Sequence, residues 1–223
     1  MSAVMEKATR SDDLYAQLEA LPANLTGEII NGRLYAQPRP ANPHALASSG
    51  LGMDIGSAYH RGRGGPGGWW ILDEPEIHFI RDTEVLVPDL AGWRRERMPR
   101  LPHDHRIEVV PDWVCEILSP STAKTDRVIK MPVYARHGVP YLWLVDPLAH
   151  TLEVFALREE RWTVIGLFQE EDSVIVEPFA EIALELGAAV GQSGRAIAYS
   201  KPASMAWPDG ERGSSRQTRP SPA

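Results

Sequence analysis

The chain has 223 residues, of which 43% are apolar and 24% charged, with a formal net charge of −7. This composition favours one compact domain and excludes a wholly disordered chain. The acidic balance excludes a strongly basic protein that coats nucleic acid, although it leaves room for a local basic groove. The single cysteine, Cys115, excludes an intrachain disulfide and a cysteine-based zinc site.

Three segments differ in composition. We expect a flexible N-terminus over 1–10, one domain over 11–200 and a disordered tail over 201–223, because the tail is rich in Pro, Ser, Gly and Arg and has no apolar period. The sequence has no apolar run of about 18 residues that would predict a membrane helix. Since the first ten residues also lack the apolar core of a signal peptide, a cytoplasmic protein is expected.

The predicted elements mix helices and strands. Residues 11–21 fit an amphipathic helix, and 28–35 fit a hairpin whose two-residue turn is Asn31-Gly32. Further helices are predicted over 44–60 and 122–137. Strands are predicted near 69–72, 76–80, 86–93, 112–118, 141–146, 151–156, 161–168 and 173–176. Because some strands are fully apolar, we expect a mixed sheet covered on at least one face.

The glycine-rich stretch Arg61–Gly68 separates the second helix from the strand near 69–72. A phosphate-binding P-loop would need a Lys-Ser/Thr pair that opens a helix. Here the glycines run into the apolar residues Trp69–Leu72 instead. The pattern therefore indicates a flexible loop between a helix and a strand.

Two acids lie among apolar strand residues. Side chains alternate along a strand, so Glu116 shares a face with Val114 and Leu118, and both faces of this strand are otherwise apolar. A buried carboxylate needs a partner, which is either an arginine or a metal ion. Asp89 is predicted mid-strand in a similar setting. Two acids on neighbouring strands converge readily on a hard divalent cation such as Mg²⁺.

Asp112 is a poorer partner for Glu116 than Asp89. It lies four residues earlier on the same predicted strand, roughly 13 Å away at about 3.3 Å per residue. One ion does not bridge that span. Asp112 is therefore interpreted as the strand entry.

Lys130 lies inside the apolar-periodic helix of 122–137. Asp126, Lys130, Tyr134 and His137 fall on one side of that helix. Two interpretations follow: an ammonium that reaches a strand-end carboxylate and its water, or a surface lysine paired with Asp126.

Together these segments resemble the Uma-type (Uma-two) restriction endonuclease family, of the PD-(D/E)XK nuclease superfamily. The resemblance covers roughly 11–187. It rests on four segments: VPD at 87–89, PDWVCEILSPST at 111–122, DRVIK at 126–130 and YARHGVPYLWLVDP at 134–147. The family's early Glu-Leu-Ile-Asp-Gly-Glu-Leu stretch is similar to EIINGRL, which begins at Glu28.

The resemblance implies an α/β fold with a mixed, α+β-like sheet: a restriction-endonuclease-like core with flanking helices. It also implies Mg²⁺-dependent hydrolysis of nucleic-acid phosphodiesters, most often DNA, with Mn²⁺ as a substitute metal. Asp89, Glu116 and the backbone carbonyl of Ile117 would hold the metal, and Lys130 would position water or stabilise the transition state. The superfamily's usual lysine position is occupied by Leu118, so Lys130 is taken as its replacement.

Further residues receive weaker assignments. Glu28 and Glu76 are candidates for an additional ligand or water contact. His44 resembles a recurrent family histidine, with a capping or packing role as the alternative. Pro132 departs from the family pattern, and we expect either a helix that starts near Ile129 or a kink.

The expected partners are nucleic acid and a second copy of the chain, because cutting both strands needs two sites. Arg94, Arg95, Arg97 and Arg100 follow the Asp89 strand and are candidates for phosphate contact, with a solvated loop as the alternative. The competing hypotheses are a degenerate nuclease fold that acts as a non-catalytic binding module, a metal-dependent hydrolase of another phosphate ester, and a structural dimer.

Overall fold

The computed structural model describes residues 11–38, 40–169 and 172–189. The predicted flexible N-terminus and disordered tail lie outside these ranges. Within them the α-helices are α1 (Ser11–Glu19), α2 (Asn42–Ile55), α3 (Ala123–Thr125), α4 (Met131–Arg136) and α5 (Leu186–Ala189). Two π-helical turns, Gly56–His60 and Asp126–Lys130, continue α2 and join α3 to α4. No described helix is long and apolar enough to span a bilayer.

Twelve strands are assigned in the described ranges. They are β1 (Leu25–Ile30), β2 (Arg33–Pro38), β3 (Trp69–Asp73), β4 (Ile77–Ile80), β5 (Glu84–Leu86), β6 (Leu90–Arg94), β7 (Trp113–Ile117), β8 (Tyr141–Asp146), β9 (Thr151–Arg158), β10 (Arg161–Gln169), β11 (Ser173–Val174) and β12 (Leu184–Glu185). The β1–β2 hairpin turns at Asn31 and Gly32, both with positive φ, as the Asn-Gly pair predicts.

The strands form a mixed sheet with a smaller sheet beside it. The six-stranded sheet has the order β10-β9-β8-β7-β6-β3, and the four-stranded sheet has the order β2-β1-β5-β4. β7 and β8 pair in parallel, whereas the other pairs in both sheets are antiparallel. The predicted mixed sheet is therefore confirmed.

The single strand predicted over 86–93 is wrong. The chain forms two short strands, β5 and β6, which belong to different sheets. Pro88 lies between them and has no backbone N–H to continue a ladder. Asp89 consequently lies in the crossover between the sheets and not in mid-strand.

The six-stranded sheet is covered on both faces. Trp113, Cys115 and Ile117 of β7 pack in one apolar cluster, which also contains residues of α2. Val114 and Leu118 pack in another, which contains residues of α4. This alternation places Glu116 on the α4 side of the sheet, as the side-chain period of two predicts.

Phe179 fills the centre of the α2 side. Its buried ring lies 4.6 Å from Tyr59, 5.1 Å from Trp69, 4.9 Å from Trp113 and 5.6 Å from Trp143, centroid to centroid. Aromatic pairs at these separations and tilted geometries are favourable beyond their buried area.

We expect Phe179→Ala to lower the free energy of unfolding by about 3 to 5 kcal/mol, because the cavity cannot close between four aromatic rings. Leu167→Ala is the control: its side chain is exposed on β10, so a change within about 0.5 kcal/mol is expected. Urea unfolding of both variants measures this. Equal losses for the two would contradict the assignment of Phe179 to the core.

Candidate active site

Lys130 is buried between two glutamates. Its Nζ lies 2.9 Å from Glu28 Oε1 and 2.8 Å from Glu116 Oε1, and it donates a hydrogen bond of 3.3 Å to the Val87 carbonyl. Lys130 is only 1% exposed and both glutamates are 2% exposed. The interpretation of Lys130 as a surface lysine is therefore wrong.

Each member of this ion cluster comes from a different element. Glu28 lies on β1 of the four-stranded sheet and Glu116 on β7 of the six-stranded sheet. Val87 belongs to the crossover between them, and its N–H donates to Glu28 Oε1 at 2.8 Å. The cluster therefore connects both sheets to the helical segment that carries Lys130.

Tyr134 makes a contact with Glu116 that the sequence pattern does not predict. Its hydroxyl donates to Glu116 Oε1 at 2.5 Å, and the residue is fully buried. Tyr134 lies four residues after Lys130, so the helical period already placed both on one side. Nothing in that period indicates which carboxylate the hydroxyl meets.

Asp89 lies beside the ion cluster and uses both carboxylate oxygens. Its Oδ2 accepts a hydrogen bond of 2.6 Å from the Ile117 N–H, and its Oδ1 lies 3.1 Å from His44 Nε2. The predicted proximity of Asp89 to the Glu116 strand is thus present in the structure. His44 lies in the first turn of α2, where it contacts a predicted metal ligand and does not cap the helix.

The helix that carries Lys130 begins at Ala123 and not near Ile129. Pro132 follows the π-helical turn Asp126–Lys130, in which the Met131 N–H bonds to the Asp126 carbonyl. In a π-turn each N–H bonds to the carbonyl five residues earlier. The regular α-helical hydrogen bonds, which join residues four apart and which proline disrupts, are therefore locally replaced. The structure therefore excludes the start near Ile129 and has a π-turn immediately before Met131 and Pro132.

Negative charge exceeds positive charge around Lys130. Burial raises the pKa of Glu116 well above its ordinary value; Lys130 opposes this, while Asp126, Asp89 and Glu28 reinforce it. Burial lowers the pKa of Lys130, but Glu116, Glu28 and Asp126 raise it by more, so the amine stays charged. The Lys130 ammonium therefore lies among four acidic side chains, those of Glu28, Asp89, Glu116 and Asp126.

The pKa of His44 is affected by its partner Asp89. Burial lowers the pKa of His44, but the hydrogen bond and the charge of Asp89 raise it by more, so this pKa lies above its ordinary value. The contact with Asp89 therefore favours the protonated form of His44 at the edge of the site.

A cavity of about 620 Å³ opens onto this site. Glu28, His44, Val87 and Asp89 line it, together with residues of β2 and of the segment 119–125. Glu116 and Lys130 lie behind this wall, and the ammonium connects Glu116 to the lining residue Glu28. The volume lies within the range of pockets that hold a small ligand.

Glu76 belongs to another cluster. Its Oε1 lies 2.7 Å from His78 Nε2 and accepts a hydrogen bond of 2.8 Å from the Tyr15 hydroxyl. It lines a different cavity, with His105 and Asp104. The structure does not bring Glu76 together with the ion cluster, so its assignment as an additional ligand is not supported.

Three of the four predicted phosphate-binding arginines have structural partners. Arg94 lies over the Trp69 ring, and Arg95 donates to the carbonyls of His60 and Trp69. Arg97 pairs with Asp112 at 2.7 Å. Arg100 is exposed, and its role as a phosphate contact stays a prediction. Asp112 also accepts a hydrogen bond from the Arg94 N–H, which agrees with its interpretation as a strand-entry residue.

The acids of the site fit a hard divalent cation by donor type and by charge. Carboxylate oxygens are the ligands that Mg²⁺ and Mn²⁺ prefer. The excess of acids over cations favours a further positive charge. Across 11–38, 40–169 and 172–189, however, no three His, Cys, Asp or Glu side chains are already arranged to hold a metal ion. The Ile117 carbonyl stays a predicted ligand.

Comparison with known proteins agrees with this fold. A chain from Anabaena variabilis ATCC 29413, titled "a putative nuclease belonging to DUF820", superimposes with a TM-score of 0.64 at 24% sequence identity. The match covers 79% of this chain and 97% of that one. It confirms the predicted fold: a mixed sheet flanked by helices. No curated protein matches this chain in sequence.

The family follows from the sequence match. The model of the Uma2 family, described as "Putative restriction endonuclease", matches residues 12–189. This chain therefore belongs to the Uma2 family. The matched range contains every residue of the ion cluster, and the resemblance drawn from the four sequence segments is confirmed.

We expect Asp126→Asn to stabilise the metal-free protein at neutral pH. Burial is the main cause that raises the pKa of Asp126, from 3.8 to about 6. A carboxyl whose pKa is raised by folding stabilises the fold below its unfolded pKa, and this stability is lost as the pH rises through the folded pKa. The advantage of the variant should therefore grow between pH 4 and pH 6, to about 3 kcal/mol.

Urea unfolding at several pH values in EDTA measures this advantage. Glu96→Gln serves as the control because Glu96 is exposed. An advantage of Asp126→Asn that does not change with pH would contradict the raised pKa.

Proposed function

We propose that this protein is a nuclease that hydrolyses phosphodiester bonds in nucleic acid, most readily DNA, in the presence of Mg²⁺ or Mn²⁺. The observation that carries the proposal is the buried Lys130 ammonium between Glu28 and Glu116, beside Asp89 and next to an open cavity. Membership of the Uma2 family and the shared fold support it.

Asp89 and Glu116, with the Ile117 carbonyl, are the residues that would hold the metal. A bound divalent cation lowers the pKa of water and offsets charge on a phosphate. Asp89 is held for this role on two sides, because the Ile117 N–H orients one carboxylate oxygen and His44 the other. Ligands oriented in this way need little rearrangement when a cation arrives.

The other residues of the site act by charge and position. Lys130 stays protonated, so its proposed role is electrostatic: it offsets negative charge on the phosphate or on the water that attacks it. Tyr134 and Lys130 together hold Glu116 Oε1 in place. The proposed role of His44, at the cavity wall, is to give a proton to the leaving oxygen.

We expect Glu116→Gln to reduce metal-dependent cleavage of plasmid and single-stranded DNA by at least about 100-fold. Glutamine keeps the shape of the side chain and can accept from Lys130 and Tyr134, but it loses the anionic ligand. Glu76→Gln is the matched control, because the structure places Glu76 in another cluster; this variant should cleave like the wild type. Thermal unfolding verifies that both variants are folded.

Two results would contradict the proposal. If wild type and Glu116→Gln cleave equally, the activity does not use this site. If the folded wild type cleaves neither substrate with either metal, the non-catalytic binding module becomes the better account. That account has its own support, because the Oε1 atoms of Glu28 and Glu116 already pair with Lys130 and the described residues contain no preformed metal cluster.

A further inference from the structure

A second cavity lies along the same side of α2. It has a volume of about 710 Å³ and is lined by small residues of the helix, by Ile71 and Asp73 of β3, and by Arg61 and Arg63 of the glycine-rich loop. None of its lining residues was assigned a function from the sequence. It lies next to the cavity at the candidate active site.

The two cavities adjoin. At three places, a residue that lines the cavity at the candidate active site is adjacent to a residue that lines the second cavity. The two residues are either consecutive in sequence or one helical turn apart. The adjoining pairs are His44 with Ser48, Glu74 with Asp73, and Asp89 with Leu90. The two cavities thus lie side by side along α2; together they are called the α2 groove below, from Asp89 at one end to Arg61 and Arg63 at the other.

The α2 groove has the length of a short oligonucleotide. His44 and Gly56 are separated by about 18 Å along the helix axis, at about 1.5 Å per residue. One strand of nucleic acid advances about 3.4 Å per nucleotide, so roughly five nucleotides would span this distance.

Among the described residues, Arg61 and Arg63 have no acidic partner. Both are exposed, and within the described part of the chain neither forms an ion pair. Arg97, Arg127 and Arg136, in contrast, each pair with a carboxylate. The two groove arginines thus keep their donors available for an anion.

The loop that carries these arginines is tied to the end of the helix. The Arg61, Arg63 and Gly67 N–H groups bond to the carbonyls of Gly56, Ser57 and Ala58. A Cβ at Gly65 would come within 2.6 Å of the Ala58 Cβ, so the loop packs closely against the helix. The predicted loop is present, and its backbone is anchored at the end of the α2 groove.

Gly56 keeps the groove open. Its φ of −63° is helical and does not require glycine, and a Cβ at this position would meet no atom within 4 Å. Glycine destabilises a helix relative to alanine, so neither backbone nor packing accounts for it. Since Gly56 lines the cavity, its missing side chain leaves that space free.

We propose that the α2 groove binds single-stranded nucleic acid, whose phosphates contact Arg61 and Arg63 while the bond to be cut lies at Asp89. This proposal rests on the nuclease function proposed above and names its substrate class. The net charge of −7 gives no general attraction for a duplex. The two cavities are each the size of a pocket for one small ligand, and a flexible single strand enters such pockets one nucleotide at a time.

Asp73 determines where phosphates and bases are expected along the α2 groove. Its carboxylate lines the second cavity, where it accepts a hydrogen bond of 3.3 Å from the buried Ser48 hydroxyl. A phosphate is disfavoured beside this acid. The phosphate contacts are therefore expected at the arginine end, and bases opposite Asp73.

The first test compares a fluorescein-labelled 15-nucleotide oligothymidylate with a 15-base-pair duplex by fluorescence anisotropy, with Ca²⁺ in place of Mg²⁺ and the oligonucleotides verified intact afterwards. The wild type should bind the single strand more tightly. The double variant Arg61→Ala/Arg63→Ala should weaken single-strand binding about tenfold and reduce the slope of log K against log salt by about 1.4, at about 0.7 per phosphate contact.

The matched control is Arg158→Ala/Arg161→Ala. These exposed arginines lie in the β9–β10 hairpin, at the opposite edge of the six-stranded sheet from β3. Their removal should leave both affinity and salt slope close to wild type. Equal effects of the two double variants, or tighter binding of the duplex, would overturn the proposal.

The second test fills the α2 groove without changing charge. Gly56→Leu should abolish single-strand binding while thermal stability is kept or increased, because nothing lies within 4 Å of the new Cβ. Ala45→Leu is the control, since Ala45 is an exposed α2 residue outside the cavity lining. A folded Gly56→Leu variant that binds like the wild type would overturn the proposal.

The outcomes separate this proposal from the nuclease function. If cleavage needs Glu116 but the arginine and Gly56 variants bind and cleave like the wild type, the nuclease function holds and the groove proposal fails. If the single strand binds through Arg61 and Arg63 but is never cut, the groove proposal holds and the nuclease function fails. If the wild type binds neither oligonucleotide, the groove proposal fails.

Discussion

The ion cluster around Lys130 is the constraint on which the rest of this structure depends. An ammonium and two carboxylates are costly to bury, and they are tolerated only when their charges and hydrogen bonds are satisfied mutually. Glu28, Glu116 and Lys130 come from two sheets and a helix, so their pairing requires these elements to meet at one place. In the crossover, the Val87 N–H donates to Glu28 and the Val87 carbonyl accepts from Lys130. Removal of one partner would leave a buried charge without compensation.

The same cluster explains why this place is suited to chemistry. Burial raises the pKa of Glu116 and of Asp126; the neighbouring acids reinforce this, while Lys130 opposes it. Perturbed groups beside an open cavity are typical of functional sites. His44 and the Ile117 N–H hold Asp89 at the cavity wall. The α2 groove extends from this wall, so the proposed binding surface and the proposed site share a helix.

The sequence predicted the secondary-structure elements better than the contacts between them. Alternation in β7 placed Glu116 on the correct face, and the Asn31-Gly32 turn located the first hairpin, because both signals are local. Pro88 divides what reads as one strand, and only the tertiary structure shows that its halves join different sheets. The Lys130–Glu28 pair joins segments far apart in sequence, so no local pattern predicts it. The arginines of 94–97 read as a basic patch, whereas aromatic and acidic partners elsewhere in the chain hold them in place.

A double-mutant cycle between Lys130 and Glu116, measured by urea unfolding, tests most directly whether this cluster holds the site together. Lys130→Met, Glu116→Gln and the double variant are compared with the wild type. We expect Lys130→Met to destabilise the wild type more than it destabilises Glu116→Gln, by a coupling energy of about 1 to 3 kcal/mol. Losses that simply add, with a coupling near zero, would contradict the claim that the buried Lys130–Glu116 pair organises the site.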